Sequence, residues 1–493
     1  MATFDIRTFG CQMNVHDSER LEEVLRRSGH ARVDAAEAPD VVLLNTCSIR
    51  EKAEQKLRSE VGRLAVAKRE RPDMLIVVAG CLAQQEGERL MKRLPAIDLM
   101  IGPDNIPELP DLLADALLGG PPAVRTVFDT DAPRFLTAPH AVAGQPTAYV
   151  TTMKGCNERC TYCIVPRTRG RERYRPSQEI VDEIRVLAET GVAEVTLLGQ
   201  TVNSYRDPTG RLSVTAGDDP DESAFAALIR AILDQVPQLH RLRYTSPHPR
   251  HLTPSLIAAH RDLAPRLVRH IHLPVQSGSD RMLKRMARRY RRAEFVARLE
   301  RLQAAVPGLT WSTDIIVGFS RETEEDFAET LSLVEDARPT GVFAFKYSPR
   351  PFTPALRMGD DVPESVKSER LSRLFAVSER LVGAHLQGMV ASRQRVLVEG
   401  PSKARPENWS GRTERNEIVH ISGATELALS HRIVEVEVVE AYKHSLRAEL
   451  TAASRREASN WAAAGPPRPE ARILARPAAG PAGKRRLTIV RAS

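Results

Sequence analysis

Hydrophobic and polar positions change period in blocks along this chain of 493 residues. In the N-terminal part, the apolar runs at 3–9, 40–46 and 74–80 read as strands. Between them, Asp17 to Ser28 and Lys52 to Arg69 carry apolar residues at helical spacing. Strands that alternate with helices predict an open parallel α/β sheet. Gly119-Gly120-Pro121-Pro122 breaks this pattern and opens a linker rich in Ala, Pro and Gly, over 119–145. Strand signals then return at 148–153, 193–199, 241–246, 269–275, 311–317 and 342–347, with amphipathic helices between them. Ile180, Ile184 and Leu187 show the helical spacing. Six such units predict a partial (βα)6 barrel, short of the closed eight-stranded one. Lys367 to Leu386 reads as a bridging helix, and 387–452 turns β-rich. The expected division is 1–118, 119–145, 146–386 and 387–452. A tail over 453–493, with little to bury, is expected to be disordered.

With 42% hydrophobic and 27% charged residues, the chain is neither a collagen-like nor a wholly disordered polymer. No apolar run reaches the ~20 residues that span a bilayer, and Asp5 and Arg7 fall where a signal peptide is apolar. A soluble, cytoplasmic protein with no membrane partner is expected. The net charge of +8 is concentrated in the tail, where nine basic residues face two acidic ones. Over 387–452 the charges balance, nine against nine, so RNA binding there must use local patches or shape. Arg281, Lys284, Arg285, Arg288, Arg289, Arg291 and Arg292 form one run without acidic residues. Such a run is more often a solvated helix face than a phosphate-facing edge.

The six cysteines fall into two sets of three. Cys156, Cys160 and Cys163 form a tight C-x3-C-x2-C loop after an apparent strand. A zinc site takes four ligands, and nothing here indicates an oxidising compartment that would favour disulfides. Three thiolates suit a 4Fe–4S cluster with one iron left open. This loop is similar to the cysteine motif of radical S-adenosylmethionine (SAM) enzymes. Cys11, Cys47 and Cys81 lie far apart, yet each directly follows a predicted parallel strand or is one residue beyond it. Parallel strands deliver their C-terminal ends to one edge, where open α/β sheets bind ligands. That shared placement implies a second open-iron cluster rather than three unrelated buried cysteines.

Longer stretches extend the resemblance over most of the chain. They are Thr8-Phe9-Gly10-Cys11-Gln12-Met13-Asn14, Asn45-Thr46-Cys47-Ser48-Ile49-Arg50-Glu51-Lys52-Ala53, Gly80-Cys81-Leu82-Ala83-Gln84, His272 to Ser279, and Gly411-Arg412-Thr413-Glu414. The chain resembles the methylthiotransferase family of radical SAM enzymes. Gln12-Met13 and Arg50-Glu51-Lys52 favour the branch that acts on N(6)-dimethylallyladenosine in tRNA. Departures from the family pattern occur at Tyr174, Thr201, Ser320, Arg321 and Phe352. The resemblance implies an α/β domain holding the auxiliary cluster, a radical SAM barrel, and a C-terminal TRAM-like β-barrel for RNA.

The implied reaction is methylthiolation of carbon 2 of the modified adenine. The implied cofactors are two 4Fe–4S clusters and SAM, which serves as methyl donor and radical source. The implied partners are tRNA carrying N(6)-dimethylallyladenosine, an electron donor and a sulfur source. No catalytic residue is expected beyond the cluster ligands Cys11, Cys47, Cys81, Cys156, Cys160 and Cys163. Tyr162, Gly199, Gln200, Asn203, Gln276 and Ser277 are expected around SAM. His248 reads as a structural histidine rather than a ligand. The competing readings are the same chemistry on a ribosomal-protein side chain or another modified adenosine, and an RNA-binding iron–sulfur sensor without turnover.

Overall fold

The computed structural model describes residues 1–464, except 35–36, 50, 132, 140–141, 143, 213–221 and 404. The chain forms two compact units. The first comprises Met1–Val142 together with Arg167–Arg169. Its strands are β1 (Thr3–Phe9), β2 (Ala31–Arg32), β3 (Val41–Thr46), β4 (Leu75–Gly80), β5 (Leu99–Ile101) and β6 (Ala123–Arg125). They form one sheet in the order β2-β1-β3-β4-β5-β6, parallel throughout. Every residue of β3 and β4 is buried, because helices cover both faces of the sheet. Leu21, Leu25, Leu109 and Leu113 pack with Leu43 and Val77 on one face. Leu57, Val61 and Leu64 pack with Leu44 and Val78 on the other. Order reverses between β1 and β3, the point at which such sheets open a crevice at their carboxyl ends.

Three differences from expectation have local causes. The first helix runs Gln12–Arg27, five residues earlier than its apolar period indicates, with Cys11 at its N-cap. Strands β2 and β5 are too short to show a period of two. Strand β6 occupies part of the expected linker, as a short parallel edge on β5.

The second unit contains all six expected barrel strands: β7 (Thr147–Thr151), β10 (Glu194–Leu198), β11 (Arg241–Tyr244), β12 (His270–His272), β13 (Thr310–Val317) and β14 (Gly341–Lys346). They form two parallel three-stranded sheets, joined by a parallel bridge between Leu242 and Leu267. The expected strand 148–153 ends early. Met153–Lys154 (β8) leaves it to pair antiparallel with Arg173–Tyr174 (β9). The bridging helix is Glu364–Gln387.

Beyond it, β15 (Arg393–Pro401), β16 (Trp409–Thr413), β17 (Ile418–Ser422), β18 (Ile433–Ala441) and β19 (Leu446–Leu450) close a five-stranded barrel. Its core holds Val396, Val398, Ile421 and Val436. The expected disorder from 453 is corrected in part, because Ala452–Ala464 is helical. Ala458 is fully buried, Trp461 packs on the barrel core, and the Arg432 guanidinium lies 4.9 Å from its ring centroid. Arg50 and the tail beyond 464 lie outside the described residues. No described helix is long and apolar enough to cross a membrane.

The five-stranded barrel seats on the floor of the six-stranded one. Arg241 donates to the carbonyls of Arg412 (3.0 Å) and Arg395 (2.8 Å), and Arg269 pairs with Glu414 (3.2 Å). Gly411 leaves no room for a side chain, since a Cβ there would lie 2.2 Å from the Leu397 carbonyl. The stretch 411–414 is therefore occupied in holding two modules together.

Candidate functional site

In the first unit, sheet register sets the cysteines level. Phe9 pairs with Thr46, and Thr46 with Gly80, so Cys11, Cys47 and Cys81 leave neighbouring strands at one edge. Cys47 is anchored by its amide to the Phe9 carbonyl at 2.9 Å. Gly80 turns the chain at φ 96°, where a Cβ would lie 2.3 Å from Asn45 Oδ1. A buried asparagine bridge supports the edge. The Asn14 side chain accepts from the Cys11 amide at 3.3 Å and donates to Asn45 Oδ1 at 3.2 Å. Asn45 donates in turn to the Asn14 carbonyl (2.8 Å) and to Ser18 Oγ (2.9 Å).

The Cys11 thiol donates to Asn14 Oδ1 at 3.5 Å, and the Ile49 amide donates to the Cys47 sulfur at 3.3 Å. Interaction between the neighbouring Cys11 and Cys47 thiols lowers the pKa of Cys11 and, together with burial, raises that of Cys47. Burial also raises Cys81, against the opposing charge of Arg169, whose Nε donates to its sulfur at 3.3 Å. Arg169 is itself buried and paired with Asp17. The hydroxyls of Thr46 and Ser48, beside Cys47, are buried and have no partner among the described residues. Three converging soft donors, a fixed guanidinium and unpaired hydroxyls fit an iron–sulfur cluster with one open iron.

In the second unit, Cys156, Cys160 and Cys163 lie on the loop that follows β8. Gly155, at φ 77°, brings that loop against the Arg171 carbonyl, where a Cβ would lie at 2.0 Å. Cys156 and Cys160 are buried, and Cys163 is half-buried. Burial pushes Cys156 up to about 11 and Cys163 up to about 12. Thr201 Oγ1 lies 3.0 Å from the Cys156 sulfur, so one departure from the family pattern touches a candidate ligand. Arg288 donates to the Cys160 sulfur (3.3 Å), the Tyr290 hydroxyl (3.0 Å) and the Pro274 carbonyl (2.9 Å). Each set of thiols therefore has its own buried guanidinium, which can balance thiolate charge in a low-dielectric site.

Neither arginine is marked out by the sequence. Arg288 falls in a run read as a solvated face, yet Arg281, Arg285, Arg288 and Arg292 are all bonded within the protein. Arg169 carries no local signal beyond its place shortly after the C-x3-C-x2-C loop.

The residues expected around SAM divide by what they touch. Both polar atoms of the Gln200 amide are buried and have no partner among the described residues, which leaves them for a ligand. Gln276 takes φ 75° and bridges β13 through its backbone. Tyr162 packs edge-on to Phe319 at 6.5 Å between ring centroids. The other three support the site. Gly199 admits Met153, which a Cβ would meet at 2.7 Å. Asn203 clamps His248 through its backbone amide (2.8 Å) and carbonyl (3.0 Å). Ser277 bonds Thr330 (3.2 Å) and the Ser279 amide (3.2 Å). His248 caps a short turn through Nδ1, and His251 pairs with Glu158 at 3.2 Å.

The remaining departures keep the local geometry. Arg321 (φ 60°) and Phe352 (φ 65°) hold left-handed conformations that glycine adopts more easily. Ser320 Oγ donates to the Met358 carbonyl (2.9 Å), and Tyr174 to Glu172 (2.6 Å).

A partial parallel barrel with three cysteines in one loop defines the class. Residues 150–334 match the radical SAM superfamily, 3–102 the uncharacterized protein family UPF0004, and 387–451 the TRAM domain. The radical SAM methyltransferase TsrM from Kitasatospora setae, solved with tryptophan and a SAM analogue, shares the fold at TM-score 0.50 and 15% identity, over 72% of this chain and 74% of that one. The tRNA-2-methylthio-N(6)-dimethylallyladenosine synthase of Sorangium cellulosum is 62% identical, over 96% of this chain and 98% of that protein. The synthase of Bordetella pertussis is 44% identical, over 91% and 98%. The chain belongs to the tRNA-2-methylthio-N(6)-dimethylallyladenosine synthase family, a branch of the radical SAM methylthiotransferases.

Proposed function

We infer that this protein is a radical SAM methylthiotransferase that places a methylthio group on carbon 2 of N(6)-dimethylallyladenosine beside the tRNA anticodon. The observation that carries this reading is the pair of three-thiol sets, each with a buried arginine of its own. The hydrogen on carbon 2 is not usefully acidic, so a side-chain base has no stabilised product to form. When bound, two 4Fe–4S clusters and SAM would supply what the side chains cannot: radical abstraction of that hydrogen at one centre, and the sulfur with its methyl group at the other.

The protein's part is ligation, orientation and exclusion of water. Cys156, Cys160 and Cys163 hold the SAM cluster, and Cys11, Cys47 and Cys81 the auxiliary one. Arg288 and Arg169 offset thiolate charge and fix one sulfur of each set. Gln200, Gln276 and Tyr162 contact SAM, while Gly199, Asn203 and Ser277 keep their loops in place. Residues 1–142, with β6 completing the sheet, form the auxiliary-cluster domain, 146–386 the radical SAM domain and 387–452 the RNA-binding barrel. The reaction takes place in the cytoplasm and draws on an external electron donor and sulfur source.

Two variants test this division of labour. Cys156→Ala is expected to abolish SAM cleavage, read as 5′-deoxyadenosine by chromatography. Cys47→Ala is expected to retain cleavage and lose the methylthio product, read by nucleoside mass spectrometry. Normal product from Cys47→Ala would refute the two-cluster assignment.

A further inference from the structure

Strand β14 exposes two phenylalanines on one face of the barrel wall. Phe343 is 53% exposed and Phe345 41%. Their direction follows from register, which pairs Phe343 with Asp314 and Phe345 with Ile316 of β13. On the opposite face of β13, Trp311, Ile315 and Val317 are buried, and the Trp311 ring N–H donates to the Ala337 carbonyl at the end of an outer helix. On the opposite face of β14, Lys346 bonds Ser368 of the bridging helix at 2.9 Å. Phe343, Phe345, Asp314 and Ile316 therefore face the barrel interior.

The wall is held in place. His272, on β12, meets the Phe343 ring edge-on at 5.7 Å between centroids and an interplanar angle of 71°. His272 is itself bonded to Ser312 (3.0 Å) and Asp314 (3.4 Å). Beyond the phenylalanines the same face continues to Ile316, which packs on the cluster of Met282, Met286, Phe319 and Tyr347. Tyr162, between Cys160 and Cys163, packs on that same cluster. The apolar strip thus runs from a polar edge at His272 and Asp314 toward the cysteine loop.

We propose that Phe343 and Phe345, continued by Ile316, form the wall that recognises the dimethylallyl substituent of the substrate adenine. The proposal rests on the functional reading above. Water-exposed aromatic side chains inside a concave wall mark a binding surface rather than a core. The dimethylallyl group is what separates this substrate from an ordinary adenosine. It is a small branched hydrocarbon with no hydrogen-bonding atom, so only apolar contact can select it. One methylene in an apolar pocket changes selectivity by roughly 10- to 200-fold.

The test uses the full chain with both clusters reconstituted. It uses two anticodon stem-loops that differ only in the dimethylallyl group, and the readout is the ratio of their Kd values by fluorescence anisotropy. Wild-type protein is expected to prefer the dimethylallyl RNA. The double variant Phe343→Ala/Phe345→Ala is expected to lose about 10-fold or more of that preference while binding the unmodified RNA as before. Phe343→Leu/Phe345→Leu is expected to keep most of it. Both rings are exposed, so truncation opens no core cavity; iron and sulfide content per chain checks folding. An unchanged ratio, or an equal loss on both RNAs, overturns the proposal. If wild-type protein forms no methylthio product on the dimethylallyl RNA, the functional reading falls, and the proposal with it.

Discussion

Asn45→Ala removes the centre of the asparagine bridge beneath the first cysteine set. Asn45 is fully buried. Its amide makes three hydrogen bonds, to the Asn14 carbonyl, Ser18 Oγ and Asn14 Nδ2. A buried hydrogen bond contributes about 1 kcal/mol net, and an abandoned buried donor such as Asn14 Nδ2 costs about 1–3 kcal/mol. Allowing for overlap between these, the loss is about 3 kcal/mol, a change of roughly 100-fold in an opening equilibrium. Tryptophan fluorescence is blind to this change, because Trp311, Trp409 and Trp461 all belong to the second unit. Hydrogen exchange by mass spectrometry on the cluster-free protein is the suitable assay. Amides of Val41–Thr46 and Gln12–Arg27 are expected to exchange about 100-fold faster, and those of Thr310–Val317 at an unchanged rate. The reconstituted variant is expected to hold about half the wild-type iron. Acceleration below about 3-fold in Val41–Thr46 would refute the view that this bridge holds the cysteine edge together.

Two further outcomes follow from the second unit. Burial raises the pKa of Asp326, but hydrogen bonds from Arg281, Ser279 and Thr323 outweigh it and hold the carboxyl down to about 2, against 3.8 for the free group. A carboxyl lowered in the fold stabilises above its unfolded pKa and loses that contribution as pH falls toward the folded value. Cluster-free protein should therefore lose stability between about pH 4 and pH 2, and Asp326→Asn should flatten that limb in urea titrations. Arg241→Ala removes two charge-assisted hydrogen bonds from the seat of the C-terminal barrel, worth about 1.5–3 kcal/mol each at most. Limited proteolysis between Gln387 and Arg393 is expected to accelerate, and an unchanged cleavage rate would show that Arg241 does not hold the seat.

How far the sequence reveals the site depends on whether its residues carry local patterns. Cys11, Cys47 and Cys81 could be grouped because each follows a strand, and parallel register does the rest. The loop cysteines carry their own spacing. Arg169 and Arg288 could not be placed, because a guanidinium that turns inward looks in sequence like one that faces water. The amides of Gln200 and Asn203 are close neighbours in sequence, yet the first has no partner among the described residues and the second clamps His248. The stretch 411–414 was legible as a family motif, whereas its role in joining two barrels needs the contacts of Arg241 and Arg269. The helix Ala452–Ala464 escaped notice because its buried side is made of small residues and one tryptophan.

The most direct test of the proposed function is nucleoside mass spectrometry on tRNA after anaerobic incubation with the cluster-loaded wild-type protein, SAM and a reductant. The tRNA is supplied with and without the dimethylallyl group. A methylthio increment on dimethylallyladenosine, with little or none on unmodified adenosine, is the expected result. Production of 5′-deoxyadenosine with no increment on either RNA would contradict the assignment of substrate, and equal modification of both would contradict the requirement for the dimethylallyl group.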